Sequence, residues 1–307
     1  MKNRRKFIKN SSLGIIGLSM VPNILFSKDR NTELTILHTN DTHSHIFPVN
    51  NGKYKGFGGM AQRAQLIKDI RKDNRNVLLL DAGDIFQGTP YFNFFGGEVE
   101  YKLMSRMKYD AVTLGNHDFD NGIEGLNKQL KHASFDFINS NYDFNNTVLK
   151  NKIKKYRVFV KDNIRIGVFG LGIELEGLVP EKLYDGIVYK DPIRNANYYS
   201  SLLKDKEKCN LVVCLSHLGL KYDTNKISDI EIAKKTKNID VIIGGHTHTF
   251  LEKPILIKNK INKDVLINQV GWAGINLGRI DFIFRQNSVK TKDLNSSIFV
   301  KKKYNNG

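Results

Sequence analysis

Aspartate, asparagine and histidine recur at five places in this chain, each at or just after the end of an apolar run. The places are Asp41-Thr42-His43, Gly83-Asp84, Gly115-Asn116-His117-Asp118, His217 and Gly245-His246-Thr247-His248. Carboxylate and amide oxygens and imidazole nitrogens are donors that small divalent cations accept. Gathered on one rim, they can hold two cations side by side, which acidifies water at neutral pH and neutralises phosphoryl oxygens. The set points to a two-metal phosphohydrolase.

Each segment contributes differently. Asp41 and His43 are alternate residues after Leu34–His38, so both side chains can face one cation. Asp84 follows Val77–Leu80 and is the candidate carboxylate to bridge two metals, while Asp81 is left outside the ligand set as a residue that fixes the loop. Asn116 offers a neutral oxygen, limiting negative charge near an anionic substrate. His117 beside it is then free to donate, and Asp120, three residues on, can orient that imidazole and raise its pKa. His217 ends Leu211–His217, and His246 and His248 alternate after Val241–Ile243, with Gly244 and Gly245 letting the backbone pass close to the metals. A single D-x-H, an Asn-His turn capping a helix, or one histidine is common without a metal. Their joint recurrence at strand ends carries the reading.

Such convergence requires strands that all deliver their ends to one edge. Runs at 33–38, 77–80, 111–114, 164–171, 211–216 and 239–243 are rich in Val, Ile and Leu, as in strands buried on both faces. Stretches at 59–72, 98–108, 122–132, 192–207 and 228–237 read as helices. In the first, Met60, Ala64, Ile67 and Ile70 share a face, while Arg63, Lys68 and Arg71 lie mostly elsewhere. Further strands are expected at 255–257, 265–270 and 279–284. The fold class is α/β, with two packed mixed β-sheets flanked by helices. No repeat, low-complexity linker or internal boundary interrupts it, which leaves one domain.

Net charge is +17, and six basic residues (Lys2, Arg4, Arg5, Lys6, Lys9 and Lys28) precede the first acid, Asp29. The other lysines are scattered rather than gathered into a stripe, so no nucleic-acid partner is expected; they exert a mild attraction on anionic substrates. Cys209 and Cys214 are the only cysteines. They sit too far apart along one extended segment to pair, and Cys214 reads as a buried strand thiol. Asn3-Arg4-Arg5-Lys6-Phe7-Ile8-Lys9 resembles a twin-arginine export signal, followed by the short apolar Leu13–Leu18. Residues 1–28 are accordingly expected to direct export to the periplasm or cell envelope, 29–300 to form the catalytic domain, and 301–307 to be a frayed polar tail. The nearest cleavage candidate is Leu25-Phe26-Ser27; a membrane contact follows only if this leader is retained.

The ordered set resembles the calcineurin-like metallophosphoesterase superfamily. Within it, the chain is similar to the metallophosphatase domain of the bacterial 5′-nucleotidase and 2′,3′-cyclic phosphodiesterase family. That narrower match rests on His38–His43, Gly58-Gly59-Met60-Ala61, Asp84–Thr89, Gly115–Asp120 and Gln269-Val270-Gly271-Trp272, over about residues 33–285. The resemblance implies a four-layer α/β/β/α sandwich. It also implies one metal on Asp41, His43, Asp84 and His248 and another on Asp84, Asn116, His217 and His246. His117 and Asp120 would form the catalytic dyad, His117 meeting the transition-state charge or protonating the leaving oxygen. The ions implied are Mn, Zn, Fe or Co, among which side-chain type does not choose; family members can carry glutamine where this chain has His248. Nucleotides or other small phosphate esters are the implied substrates. The resemblance does not extend to the family's C-terminal substrate domain. Generic phosphoesterase activity, a separate chain supplying that domain, or a substrate rim built from Tyr91-Phe92-Asn93-Phe94-Phe95 are the expectations left open. Two further readings are a non-catalytic metal-binding subunit of a larger assembly and a sulfur-ester hydrolase of the related thiosulfohydrolase type.

Overall fold

The structure is a computed structural model that describes residues 31–285, 288–293 (backbone only) and 297–301. Residues 1–28, expected as an export leader, and the residues beyond Lys301 lie outside the described residues.

The first half alternates strand and helix. It runs β1 (Thr32–Thr39), α1 (Met60–Asp73), β2 (Val77–Asp81), α2 (Pro90–Phe95), α3 (Glu98–Arg106), β3 (Ala111–Val112), α4 (Gly122–Gln129) and β4 (Asp136–Phe137). A short β5 (Tyr142–Asp143) precedes β6 (Tyr156–Lys161), β7 (Ile164–Gly172) and β8 (Val188–Tyr189). Then come α5 (Pro192–Ser201), β9 (Leu211–His217), α6 (Asp229–Lys235) and β10 (Val241–Ile243). The chain continues through β11 (Ile255–Lys258), β12 (Asp264–Asn268), β13 (Asn276–Arg285), β14 (Ser288–Asp293) and β15 (Ser297–Phe299).

Two mixed sheets result. The first has the order β14-β13-β1-β2-β3-β4 with β15 also on β13, and the second β11-β12-β10-β9-β7-β6. Within them β1, β2, β3 and β4 run parallel, as do β7, β9, β10 and β12. β5 and β8 pair separately as an antiparallel ribbon.

Strand alternation explains the layering. Leu34, Ile36, Leu78 and Leu80 from one sheet meet Ile166, Val168, Leu211, Val213, Val241 and Ile243 from the other in a single buried cluster. Their neighbours Leu37, Val77 and Leu79 turn outward to pack with α1 and α3 residues such as Ile67 and Met104. Phe169, Val212, Cys214 and Ile242 turn the opposite way, toward Ala196 and Ile232 of α5 and α6. This is the expected α/β/β/α sandwich, and it places the carboxyl ends of β1, β2, β3, β9 and β10 where loops can meet.

Several local expectations change. The strand expected over 111–114 pairs only at Ala111–Val112, since Thr113 onward already turns into the Gly115 loop. The helix expected to run to residue 207 changes at Leu202 to a π-turn closed by Glu207 N–H onto Leu202 O at 3.0 Å. β6 has no counterpart among the expected strands; its apolar run is only Val158–Val160, set between Arg157 and Lys161, and none of its residues is fully buried. Arg63 is fully buried rather than turned away from the α1 core face. It donates to Tyr109 Oη at 3.3 Å and lies against Gly274, where a side chain would strike its guanidinium. Cys209 and Cys214 are both free, as expected, and Cys214 is the expected buried thiol; Cys209 is buried as well. Among the described residues no helix is long and apolar enough to cross a membrane.

Candidate metal centre

The loops after β1, β2, β3, β9 and β10 bring all nine expected site residues to one end of the sandwich. Five of them adopt left-handed backbone: Asp41 (φ 49°), His43 (46°), Asp84 (56°), His246 (72°) and His248 (50°). Asp, Asn and His tolerate this region better than most residues. Such conformations still cost about 1–3 kcal/mol each and cluster where function over-determines the backbone.

The donor atoms converge as two groups, Asp41–His43–His248 and Asp84–His217–His246, each with one ligand atom per residue within 4.8 Å of the others. Asp84 links the groups, its Oδ2 lying 3.0 Å from His217 Nε2 and 3.9 Å from His43 Nε2. Asp41 Oδ1 stands 3.5 Å from His248 Nε2 and 3.8 Å from His217 Nε2. Asn116 Oδ1 lies 2.9 Å from His246 Nδ1.

Imidazole tautomers test whether a cation fits. His217 gives its Nδ1–H to Ala82 O at 2.6 Å, which leaves Nε2 as the inward atom, facing Asp84 Oδ2 and Asp41 Oδ1. His43 likewise gives Nδ1–H to Phe86 O at 3.2 Å, and its Nε2 then meets His248 Nε2 at 3.0 Å. Fixing one nitrogen with a backbone carbonyl and aiming the other at a shared point is how metal-binding histidines are oriented. The residues present therefore fit two divalent cations.

Electrostatics agree. Burial holds His43 below its ordinary value and pushes His246 down to about 4, so both stay neutral and able to ligate. Burial also works against the charged form of His217, but Asp84 and Asp41 outweigh it and raise that group. For Asp84, burial is outweighed by His217, and the carboxyl is held low. The buried Asp84 carboxylate thus favours positive charge beside it.

His117 stands apart from these groups. Its Nδ1 donates to Asp120 Oδ2 at 2.8 Å, and its side chain is 35% exposed. The bond to Asp120 is the main reason its pKa is raised. Its backbone N–H also donates to Asp84 Oδ1 at 2.8 Å, tying the dyad to the carboxylate between the pockets.

Close backbone approach makes the arrangement possible. A Cβ on Gly115 would lie 2.2 Å from Asp84 Oδ1, and one on Gly245 would lie 2.8 Å from His217 Nδ1. Asp81 does fix its loop, accepting from Gly83 N–H at 2.9 Å and from the Thr39 hydroxyl at 2.5 Å.

Three residues that hold the site together had been seen only as parts of motifs. Asp118 accepts N–H bonds from Gly115, Asp84, Ile85 and Phe86 at 2.8–3.3 Å, locking the β2 and β3 loops together. Asn40 joins the β1 loop to Val270 and Gly271, and Gln269 accepts from Thr247 and Thr249 while donating to Gly245 O. A polar residue inside a run of ligands is the only available signal, and partners up to 231 positions away cannot be read from it.

Residues 34–250 match the calcineurin-like phosphoesterase family. The chain belongs to that family. Among relatives, a snake venom 5′-nucleotidase of Crotalus adamanteus is 33% identical, the match covering 88% of this chain and 48% of the relative. A 5′-nucleotidase of Vibrio cholerae is 32% identical over 92% of this chain and 54% of its own length. In structure, a 5′-nucleotidase precursor from Thermus thermophilus superposes with a TM-score of 0.75 at 32% identity, covering 86% of this chain and 55% of that one. The chain spans about half the length of these relatives.

Proposed function

We propose that this phosphoesterase hydrolyses phosphate esters of nucleotides, acting as a 5′-nucleotidase-like enzyme at a dinuclear metal centre. The observation that carries the reading is the pair of inward imidazole and carboxylate groups joined by Asp84, with a separately held His117–Asp120 dyad beside them. Asp41, His43, Asp84 and His248 hold one cation, and Asp84, Asn116, His217 and His246 the other, with Mn, Zn, Fe or Co as the candidate ions. When bound, such a pair acidifies water and neutralises phosphoryl oxygens.

The chain's own residues supply the rest. Asp120 fixes the His117 tautomer by taking Nδ1–H, which commits Nε2 to the substrate. His117, kept protonated more readily by Asp120, donates a hydrogen bond to the phosphoryl group and then a proton to the leaving oxygen. Asn116 adds an oxygen donor without adding negative charge where an anionic ester must approach. The relatives named as 5′-nucleotidases support a nucleotide as that ester. The Arg4-Arg5 segment supports action after export to the periplasm or cell envelope, with residues 29–300 as the catalytic unit.

Phosphate release from 5′-AMP, UDP-glucose, 2′,3′-cyclic AMP and p-nitrophenyl phosphate, with Mn²⁺, Zn²⁺ or Co²⁺ supplied, tests this. A coupling phosphatase reports the diesters. Selective, chelator-sensitive turnover of a nucleotide is expected. Absence of turnover from protein carrying two ions would overturn the reading.

A further inference from the structure

The Gln269–Val270–Gly271–Trp272 motif has no part in the mechanism above, yet its position beside the open pocket is tightly determined. Val270 N–H donates to Asn40 Oδ1 at 3.0 Å, Asn40 Nδ2 donates to Gly271 O at 2.6 Å, and Ala273 N–H donates to Asp41 O at 2.8 Å. Gly271 holds a φ of 83°, and a Cβ there would lie 2.2 Å from the Phe250 ring. The loop is thus sewn to the strand end that carries Asp41 and His43.

The sewing places Trp272, the one tryptophan of the chain, between two histidines. Its indole lies nearly parallel to the His248 imidazole, at 13° and 6.1 Å between centroids, and edge-on to His45 at 5.3 Å. His45 in turn bonds through Nδ1 to His43 O at 2.9 Å. His248 is the one member of the two histidine-carboxylate groups with a largely open side chain, 41% exposed. Among the described residues no backbone carbonyl fixes its ring as Ala82 fixes His217 and Phe86 fixes His43. A half-open imidazole turns about two side-chain bonds unless a neighbour restricts its face, and a flat ring at this separation is such a neighbour.

We propose that Trp272 is a positioning residue that holds the His248 imidazole face so that Nε2 closes the Asp41–His43–His248 pocket. This rests on the two-metal reading above. It assigns to a side-chain stack the task that backbone carbonyls perform for His217 and His43, and it makes the sole indole a reporter of that pocket.

The test is uptake of Zn²⁺ by the full chain, measured by equilibrium dialysis with metal analysis. Wild type is expected to take up two ions. Trp272→Leu should weaken one of them by about tenfold or more, the scale of losing an outer partner of a ligand, and leave the other unchanged. Trp272→Phe, which keeps a flat ring, should recover most of the loss. Adding Trp272→Leu to His248→Gln should weaken binding no further than His248→Gln alone. Equal uptake by wild type and Trp272→Leu, or additive losses in the double variant, would overturn the proposal while leaving the two-metal reading intact. A wild type that takes up no ion would instead overturn the two-metal reading and this inference with it. Should Trp272→Leu not fold, wild-type indole emission decides: it should change as two Zn²⁺ bind, and indifference to both ions would overturn the proposal.

Discussion

The two pockets differ in depth and in what holds them. Asp84 and His217 have side chains 2% and 0% exposed, whereas His248 closes the other pocket at 41% exposure. The deep pocket is shaped by backbone: Ala82 O, the closely approaching Gly115 and Gly245, and four amides gathered on Asp118. The open pocket relies more on side chains, with Trp272 and His45 outside His43 and His248. On the two-metal proposal, the deep pocket would hold its ion against exchange, while the open one would face the substrate.

In the proposed ligand sets Asp84 serves both pockets, so its loss should have the largest effect. Asp84→Asn is expected to weaken both ions and to lower phosphate release by more than the roughly 10–100-fold that an outer partner contributes. Metal analysis showing only one ion affected would remove Asp84 from its place between the pockets. Next in size, His117→Ala should lower kcat by about 10²–10⁴-fold, the range for a lost general acid, while both ions remain. Unchanged turnover at saturating metal would sink the dyad assignment.

These residues were legible because ligand chemistry is concentrated in short segments after strands whose Val, Ile and Leu content announces burial on two faces. The sandwich followed from the same runs, since alternation along Leu211–Leu215 or Leu78–Leu80 sends neighbours to opposite layers. Long-range partnership was not legible. Arg63 reads as a solvent-facing cation until Tyr109 and Gly274 are seen to enclose it. Asp118 reads as one more acid in a motif until four amides from two loops point at it. Trp272 gains a task only because residues near position 270 are tied to Asn40.

Asp118 therefore offers a sharper probe of the deep pocket. Asp118→Ala strands four buried N–H groups and should cost about 2–4 kcal/mol in a denaturant melt, weakening the deep ion more than the open one. A stability within 0.5 kcal/mol of wild type, on the order of an ordinary surface change, would show that the β2 and β3 loops hold without it.

The smallest effect lies away from both pockets, where Lys190 Nζ bonds Asp143 Oδ2 at 2.6 Å across the β5–β8 ribbon. That bond holds the Asp143 carboxyl below its ordinary value. Its stabilisation is present above the unfolded-state pKa and is lost as pH falls through the lower folded value. Asp143→Asn should thus cost under about 1 kcal/mol at pH 7, as for a screened surface pair, and nothing at acid pH. Thermal melts at both values check this, and metal uptake should stay as in wild type.

The central claim is that two ions act together, one in each pocket. The most direct measurement titrates Mn²⁺ into metal-free protein and follows bound metal and phosphate release from 5′-AMP in the same samples. Turnover should stay near background through the first equivalent and rise with the second. Full turnover with one ion bound, or none, would contradict the account.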